Sequence, residues 1–286
     1  MQEVDDTPDE IKHSKRIELI QRLKRNEVTL SHSSFNEFCK SPKHFIDYKL
    51  KDKATTPSMA FGSMVHCSIL EPAEFESRYY VLPSNDLRPE QDKNMNSKIN
   101  QLWKAEQIAL ANGREVVEAK DYVAALRIAD SIRRNDPASV ILDKCHNFEV
   151  DVEWENGYLH VSGEKQPIKW RGKMDGDGRK NGLILDLKVL ADVSPRAVAN
   201  YVKYEGAGRQ AAHYLRSADE TCEYYILAVD RAGNCSVSKL GAGLLLQMNR
   251  EIEWYLTRYK SCVFSGEWGA SYDFYAPTGF FEINSL

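Results

Sequence analysis

Seven consecutive residues, Leu183-Ile184-Leu185-Asp186-Leu187-Lys188-Val189, constrain this chain more than any other stretch. They follow Asn181-Gly182, a dipeptide suited to a tight hairpin turn, and their apolar and branched side chains favour an extended strand. Residues two apart in a strand share a face, so Asp186 and Lys188 project to one side while Leu185 and Leu187 project to the other, into a core. An ion placed in such a strand costs several kcal/mol unless it is paired or bound to a metal. One reading is an aspartate–lysine ion pair at a sheet edge. The other is a polar site built on the sheet. Asp175 favours the second, because it ends the preceding strand candidate, 167–175, and the turn brings its carboxylate near Asp186. Two aspartates suit Mg2+, which binds through one or two carboxylates plus a substrate phosphate. Lys188 would then stabilise a hydroxide and the charge developing on a phosphate under attack.

Periodicity supplies the surroundings. Phe148, Val150, Val152 and Trp154 alternate with Glu149, Asp151 and Glu153, the pattern of a half-buried strand. Downstream of the central strand, Ser194-Pro195 opens a helix, another surrounds 210–215, and 224–230 reads as a buried strand. Ala232-Gly233-Asn234 turns it into a partner at 235–240, and an amphipathic helix follows over about 242–259. Before Cys145 the chain reads as helical: 33–39, Ser41-Pro42 to about Leu50, 60–70 stopped by Pro72, 96–134 with a break at Asn112-Gly113, and a short helix opened by Asp136-Pro137. At the start, Thr7-Pro8-Asp9-Glu10 fits a capping box. Its helix would run to about Arg25, with Ile17, Ile20 and Leu23 on one side. Lys12, Lys15, Arg16, Arg22, Lys24 and Arg25 cover much of the rest, either as a solvated face or as a contact for DNA or a partner. The expected organisation is a charged helical extension (1–30) and one domain (31–286), divided into a helical part (31–144) and a sheet core (145–286). The class is α/β (α+β), with one mixed sheet flanked by helices.

Composition excludes several alternatives. With 38 basic and 42 acidic residues the net charge is −4, so the chain is no simple polycation coating nucleic acid. An acidic active site beside a local basic groove remains compatible with that balance. The apolar runs, such as 244–246, fall far short of the ~20 residues of a membrane span. The opening MQEVDDTPDE is too acidic for a secretion signal, so a soluble cytoplasmic chain is expected. Six cysteines, at 39, 67, 145, 222, 235 and 262, form no CxxC pair and read as reduced, mostly buried small hydrophobes.

Met174-Asp175 followed by Asp186-Leu187-Lys188 resembles the PD-(D/E)xK nuclease signature, and the flanks sharpen the likeness. Gly62-Ser63-Met64-Val65-His66, then Leu70-Glu71-Pro72 and Phe75, is similar to the G-x-x-x-H…LEP…F segment of RecE-type exonucleases (exonuclease VIII and its phage relatives). Ser33 to Phe45, with Cys39, Pro42 and Phe45 in order, resembles the opening segment of RecB-like and RecE-like nucleases. Asp136-Pro137-Ala138 leading into Glu149 and Trp154 resembles their approach to the first sheet strand, and Gln210-Ala211-Ala212-His213-Tyr214 their Q-x-x-x-Y element. These segments keep the family's order over roughly 31–270. Lys173 stands where the family often has arginine, and Val189 where it usually has threonine.

The resemblance implies a restriction-endonuclease-like core carrying a helical N-terminal lobe. It implies a metal held by His66, Asp175, Asp186 and the Leu187 carbonyl, with Mg2+ native and Mn2+ able to substitute. Lys188 would be the catalytic cation. Glu149 would hold a second metal or orient water, or else stand in solvent. Gln210 and Tyr214, one helical turn apart, would face the site and touch DNA or position Lys188, with Lys173 close by; Tyr214 alternatively is a core aromatic. Some relatives hold an iron–sulfur cluster through clustered late cysteines, but here Cys262 alone follows position 235, so no cluster is expected. The implied activity is 5′→3′ exonucleolytic digestion of linear double-stranded DNA, leaving 3′ single strands for strand annealing. Implied with it are a ring-like homo-oligomer such as a tetramer, a RecT-type annealing partner, no membrane, and the cytoplasm of a bacterial host. Two other readings stay open: a RecB-like single-strand or flap nuclease or endonuclease, and a non-catalytic DNA-binding module on the same scaffold.

Overall fold

Helix starts follow local chemistry. Ser31, Ser41, Thr56, Ser97, Asn135 and Ser194 each accept a hydrogen bond from the backbone N–H three residues on, and proline occupies the first turn after Ser41, Thr56, Asn135 and Ser194. The structure, a computed structural model, describes residues 8–52, 55–83, 87–218 and 221–272. In chain order the first half comprises α1 (Pro8–Lys24), β1 (Leu30–Ser31), α2 (His32–Lys40), α3 (Pro42–Leu50), α4 (Pro57–Leu70), α5 (Phe75–Arg78), β2 (Tyr79–Leu82), α6 (Lys98–Leu110), β3 (Glu115–Glu118), α7 (Ala119–Arg133) and α8 (Asp136–Asp143). The second comprises β4 (Asn147–Val161), β5 (Glu164–Gly178), β6 (Leu183–Val189), α9 (Pro195–Tyr204), α10 (Ala207–Leu215), β7 (Glu223–Val229), β8 (Cys235–Lys239) and α11 (Ala242–Ser265).

Among the described residues, six strands form one mixed sheet. β4 and β5 pair antiparallel around a turn in which Ser162 and Gly163 are both left-handed. The other edge of β5 is shared: β1 runs parallel to it at Trp170 and Arg171, and β6 runs antiparallel at 176–178. Between those two, 172–175 has no strand partner on that edge among the described residues. β7 continues parallel to β6, and β8 antiparallel to β7. One face, with Trp170, Ile184, Ile226 and Ala228, packs beneath α2, α3, α10 and α11 through Phe35, Phe38, Phe45, Ala211 and Ile252. The other, with Leu183, Leu185, Leu187, Leu227 and Val229, packs against Phe61, Met64 and Val65 of α4 and Ile128 of α7. The alternation of β6 therefore places its leucines beneath α4 and Asp186 on the opposite face.

The mixed α/β class and the bounds of β6 agree with the sequence reading. The part expected to be wholly helical, 31–144, departs from it. It contributes β1 to the main sheet and carries a separate parallel pair, β2 and β3. Strands of two and four residues are too short to show a period and exist because a partner satisfies their backbone. β1 straddles position 30, and Leu19, Leu23 and Val28 join the same core as the sheet. Ile17 is exposed, while Ile20 and Leu23 pack on the core together with Leu19. Thr7, the expected cap, lies outside the described residues. The cysteines are free; Cys67 and Cys262 are buried and the other four half-buried, a more exposed set than expected. No helix among the described residues is long and apolar enough to cross a membrane.

Candidate active site

The site forms where β5 and β6 separate. Their ladder ends at Gly176 opposite Leu185, and beyond it the Leu187 N–H donates to Asp175 Oδ2 at 2.7 Å. A side chain thus takes the place of a ladder bond. An extended residue presents its N–H and C=O to the same edge, so the Leu187 carbonyl faces the same opening. Gly176 permits the approach, since a Cβ there would stand 2.8 Å from Cys145 Sγ and 3.0 Å from Leu185 Cβ.

Glu149 lies across from Asp175 on β4 and has φ 52, a left-handed conformation that costs a non-glycine residue about 1–2 kcal/mol. The pleat reverses there. Val150 packs on the Trp170 side of the sheet, whereas Phe148 packs on the Leu185 side. β5 reverses at the same level, between Met174 and Gly176. Both carboxylates are thereby turned toward His66 on α4. His66 Nδ1 lies 3.6 Å from Glu149 Oε1 and 3.8 Å from Asp175 Oδ1. Ligand atoms of the three residues all fall within 4.8 Å of one another. Lys173 Nζ contacts the second Glu149 oxygen at 3.1 Å.

Asp186, 2% exposed, approaches from the other face of the sheet. Its Oδ1 accepts from Lys188 Nζ at 2.7 Å and Gln210 Nε2 at 2.9 Å. Its Oδ2 is buried without a hydrogen-bond partner. Tyr214, one turn after Gln210 on α10, occupies the strandless stretch of β5: its hydroxyl donates to the Lys173 carbonyl at 3.1 Å and accepts from the Lys173 N–H at 3.3 Å. Gly172 makes this possible, because a Cβ would lie 2.4 Å from Tyr214 Cε1. Tyr214 also packs edge-on against Trp154, so it is a core aromatic and a backbone partner at once.

The charges are held under tension. Burial, then the Asp186 charge, pushes the Asp175 carboxyl up to about 6 against the pull of His66, Lys188 and the Leu187 N–H. Glu149 is held below the usual carboxylate range by His66 and, despite burial, by Lys173. Burial would lower the His66 and Lys188 values, but the facing carboxylates outweigh it and raise both. Crowded carboxylates of this kind favour a cation. An imidazole and two carboxylates within 4.8 Å, with a backbone carbonyl facing the same gap, fit a divalent ion.

The sequence-predicted residues therefore gather in two groups. His66, Glu149, Asp175 and Lys173 stand on the α4 side, while Asp186, Lys188 and Gln210 stand on the α10 side. Asp186 is not among the three clustered ligand residues, and Gln210 reaches Asp186 rather than Lys188. Residues that sequence reasoning missed surround them. Tyr201 of α9 feels the charges of Lys188, Asp186 and Asp175, and Tyr224 of β7 is buried near Asp186. Burial, with Arg209 and Lys188 nearby, lowers His32 to about 3, which keeps it neutral. No spacing marked these three, because tertiary packing alone brings them in. A cavity of about 600 Å3 opens beside the site, lined in part by Ser31, His32, Arg171, Lys173 and Gln210.

A mixed sheet that parts at one aspartate, with an aspartate and a lysine two apart on the next strand, defines the PD-(D/E)xK nuclease superfamily and its restriction-endonuclease-like fold. The chain belongs to the family described as a PDDEXK-like domain of unknown function (DUF3799), matched over residues 31–270. Among solved structures, a candidate exonuclease from Eubacterium rectale superposes with a TM-score of 0.54 at 16% identity, covering 93% of this chain and 88% of that one. At that identity the likeness speaks to fold. The protein SSO0001 aligns at a TM-score of 0.26 and 13% identity over 71% of this chain and 88% of its own, too weakly to carry an argument. No curated protein matches the chain.

Proposed function

We propose that the protein is a divalent-metal-dependent deoxyribonuclease that hydrolyses linear double-stranded DNA from 5′ ends, in the manner of RecE-type exonucleases. The observation that carries the reading is the gathering of His66, Glu149 and Asp175 within 4.8 Å at the split between β5 and β6, with the Asp186–Lys188 pair beside it. His66, Glu149, Asp175 and the Leu187 carbonyl would hold the ion, with Asp186 Oδ2 the remaining donor. The ion, Mg2+ or Mn2+, supplies Lewis acidity toward a phosphate oxygen and lowers the pKa of water. Lys188 is kept protonated by two carboxylates, so it stabilises negative charge at the phosphate and does not accept the proton. Gln210 fixes Asp186 Oδ1, and Tyr214 keeps the free edge of β5 in place. Contacts mainly to phosphates give little sequence preference. The products would be 3′ single strands for a RecT-type annealing partner, made by a ring-like homo-oligomer in the cytoplasm of a bacterial host.

Linear duplexes labelled at the 5′ or the 3′ end test this. Mg2+-dependent release of labelled mononucleotides from the 5′ end, and none in EDTA, is expected. Release from the 3′ end alone reverses the polarity, cutting of closed circles favours an endonuclease, and no cleavage with either metal leaves a binding module.

A further inference from the structure

We propose that a second nucleic-acid contact, for an unpaired strand, lies at the far end of β5 from the metal site. The last turn of α1, the tip of the β4–β5 hairpin and the end of α11 enclose a cavity of about 530 Å3. Its floor is apolar, made by Leu159, Val161 and Val263, and its rim carries Lys24, Arg25 and Lys260. Phe264 stands on the same rim, 92% exposed, and belongs to neither core. Leaving such a ring in water forgoes the stabilisation that burial would bring.

The cations are gathered rather than neutralised. Lys165 and Lys260 both stand over the Tyr158 ring, 3.9 and 4.7 Å from its centroid. Gly266, left-handed at the end of α11, leaves the space that the Lys24 ammonium fills, 2.6 Å from where a Cβ would be. Among the described residues no carboxylate lies within ion-pair distance of Lys24, Lys165 or Lys260, while Arg25 pairs with Glu27 at 3.0 Å. Lys24, Lys165 and Lys260 thus stand without a paired carboxylate among the described residues, and their complement is an anion.

An apolar floor, an exposed aromatic wall and a cationic rim together match a base with its phosphate. Stacking on Phe264 requires an unpaired base, which single strands provide. The volume lies within the usual range of small-ligand pockets. Lys165 and Asp175 are ten residues apart on β5, about 33 Å of strand, equal to the rise of about ten base pairs. The basic end of α1 thereby gains a ligand. The nucleic acid assigned here is that of the nuclease reading, but its binding does not depend on cleavage.

Fluorescence anisotropy of the full chain with a labelled thirty-residue oligothymidylate, in EDTA, tests the contact without metal. Phe264→Ala is expected to weaken binding at least about fivefold. Lys24→Ala combined with Lys260→Ala is expected to reduce the slope of log affinity against log salt by about 1.4. Both variants keep wild-type Mg2+-dependent cleavage of duplexes shorter than about ten base pairs. Unchanged affinity in all variants overturns the proposal. So does a changed oligomeric state of Phe264→Ala by light scattering with unchanged affinity, which assigns the ring to a second copy of the chain. If the wild type binds but cuts nothing with Mg2+, the nuclease reading fails while the binding contact stands.

Discussion

Replacing Asp175 by asparagine is expected to stabilise the metal-free protein at neutral pH. The carboxyl titrates at about 6 in the fold against 3.8 as its ordinary value, so ionising it in place costs about 3 kcal/mol at 1.36 kcal/mol per pH unit. Its folded value is raised, so its contribution to stability is fully present below pH 3.8 and is lost as pH rises through 6. Asparagine imitates the protonated acid and keeps an oxygen for the Leu187 N–H. The variant's advantage over the wild type is therefore about 3 kcal/mol at pH 8, about half that at pH 5, and vanishes in stronger acid. Urea unfolding of both proteins in EDTA at pH 5 and 8 reads the difference. Saturating Mg2+ then restores the wild type, by about 2.7 kcal/mol at a hundredfold excess over Kd, and leaves the variant unmoved. A variant no more stable than wild type at pH 8, or one whose advantage fails to shrink at pH 5, would refute the reasoning.

Other expectations follow from the same geometry. Lys188→Ala and Asp186→Ala should each abolish cleavage of linear DNA; circular dichroism must confirm folding, because removing one partner of a buried pair costs about 3–5 kcal/mol. A variant cleaving within tenfold of wild type would remove the residue it replaces from the machinery. Tyr214→Phe should cost about 1–3 kcal/mol by thermal or urea unfolding, since Lys173 then loses its partner for both backbone groups. At position 149, glycine should be more stable than alanine by about 1 kcal/mol, because only alanine keeps the left-handed penalty; equal stabilities would mean that the backbone there is unstrained. Metal affinity by calorimetry should fall as pH drops, first as protons occupy His66, whose value is raised by the facing carboxylates, and further below about 6, where they occupy Asp175.

Much of this site was legible because its signals are local. The alternation of Leu185, Asp186, Leu187 and Lys188 fixed which side chains share a face, and Asn181-Gly182 fixed the return from β5, with Gly182 left-handed at φ 75. His66 came from resemblance alone, since nothing in the apolar run of α4 distinguishes a rim histidine from a packed one. The role of Glu149 depends on a left-handed backbone that no residue type announces, so its carboxylate was readable as solvent-facing until β4 was seen to reverse its pleat. Tyr214 was ambiguous for a related reason. Its hydroxyl matters because β1 and β6 leave a gap along β5, and β1 is too short to see in a sequence. Tyr201, Tyr224 and His32 arrive from three separate elements and share only a place in space.

The most direct test is a crystal structure of the protein grown with Mn2+, located by its anomalous scattering. One ion should appear between β5 and α4, within about 2.0–2.3 Å of a His66 nitrogen and an Asp175 oxygen. An ion bound elsewhere, or none at saturating Mn2+ with these side chains ordered, would contradict a metal centre at the split in the sheet.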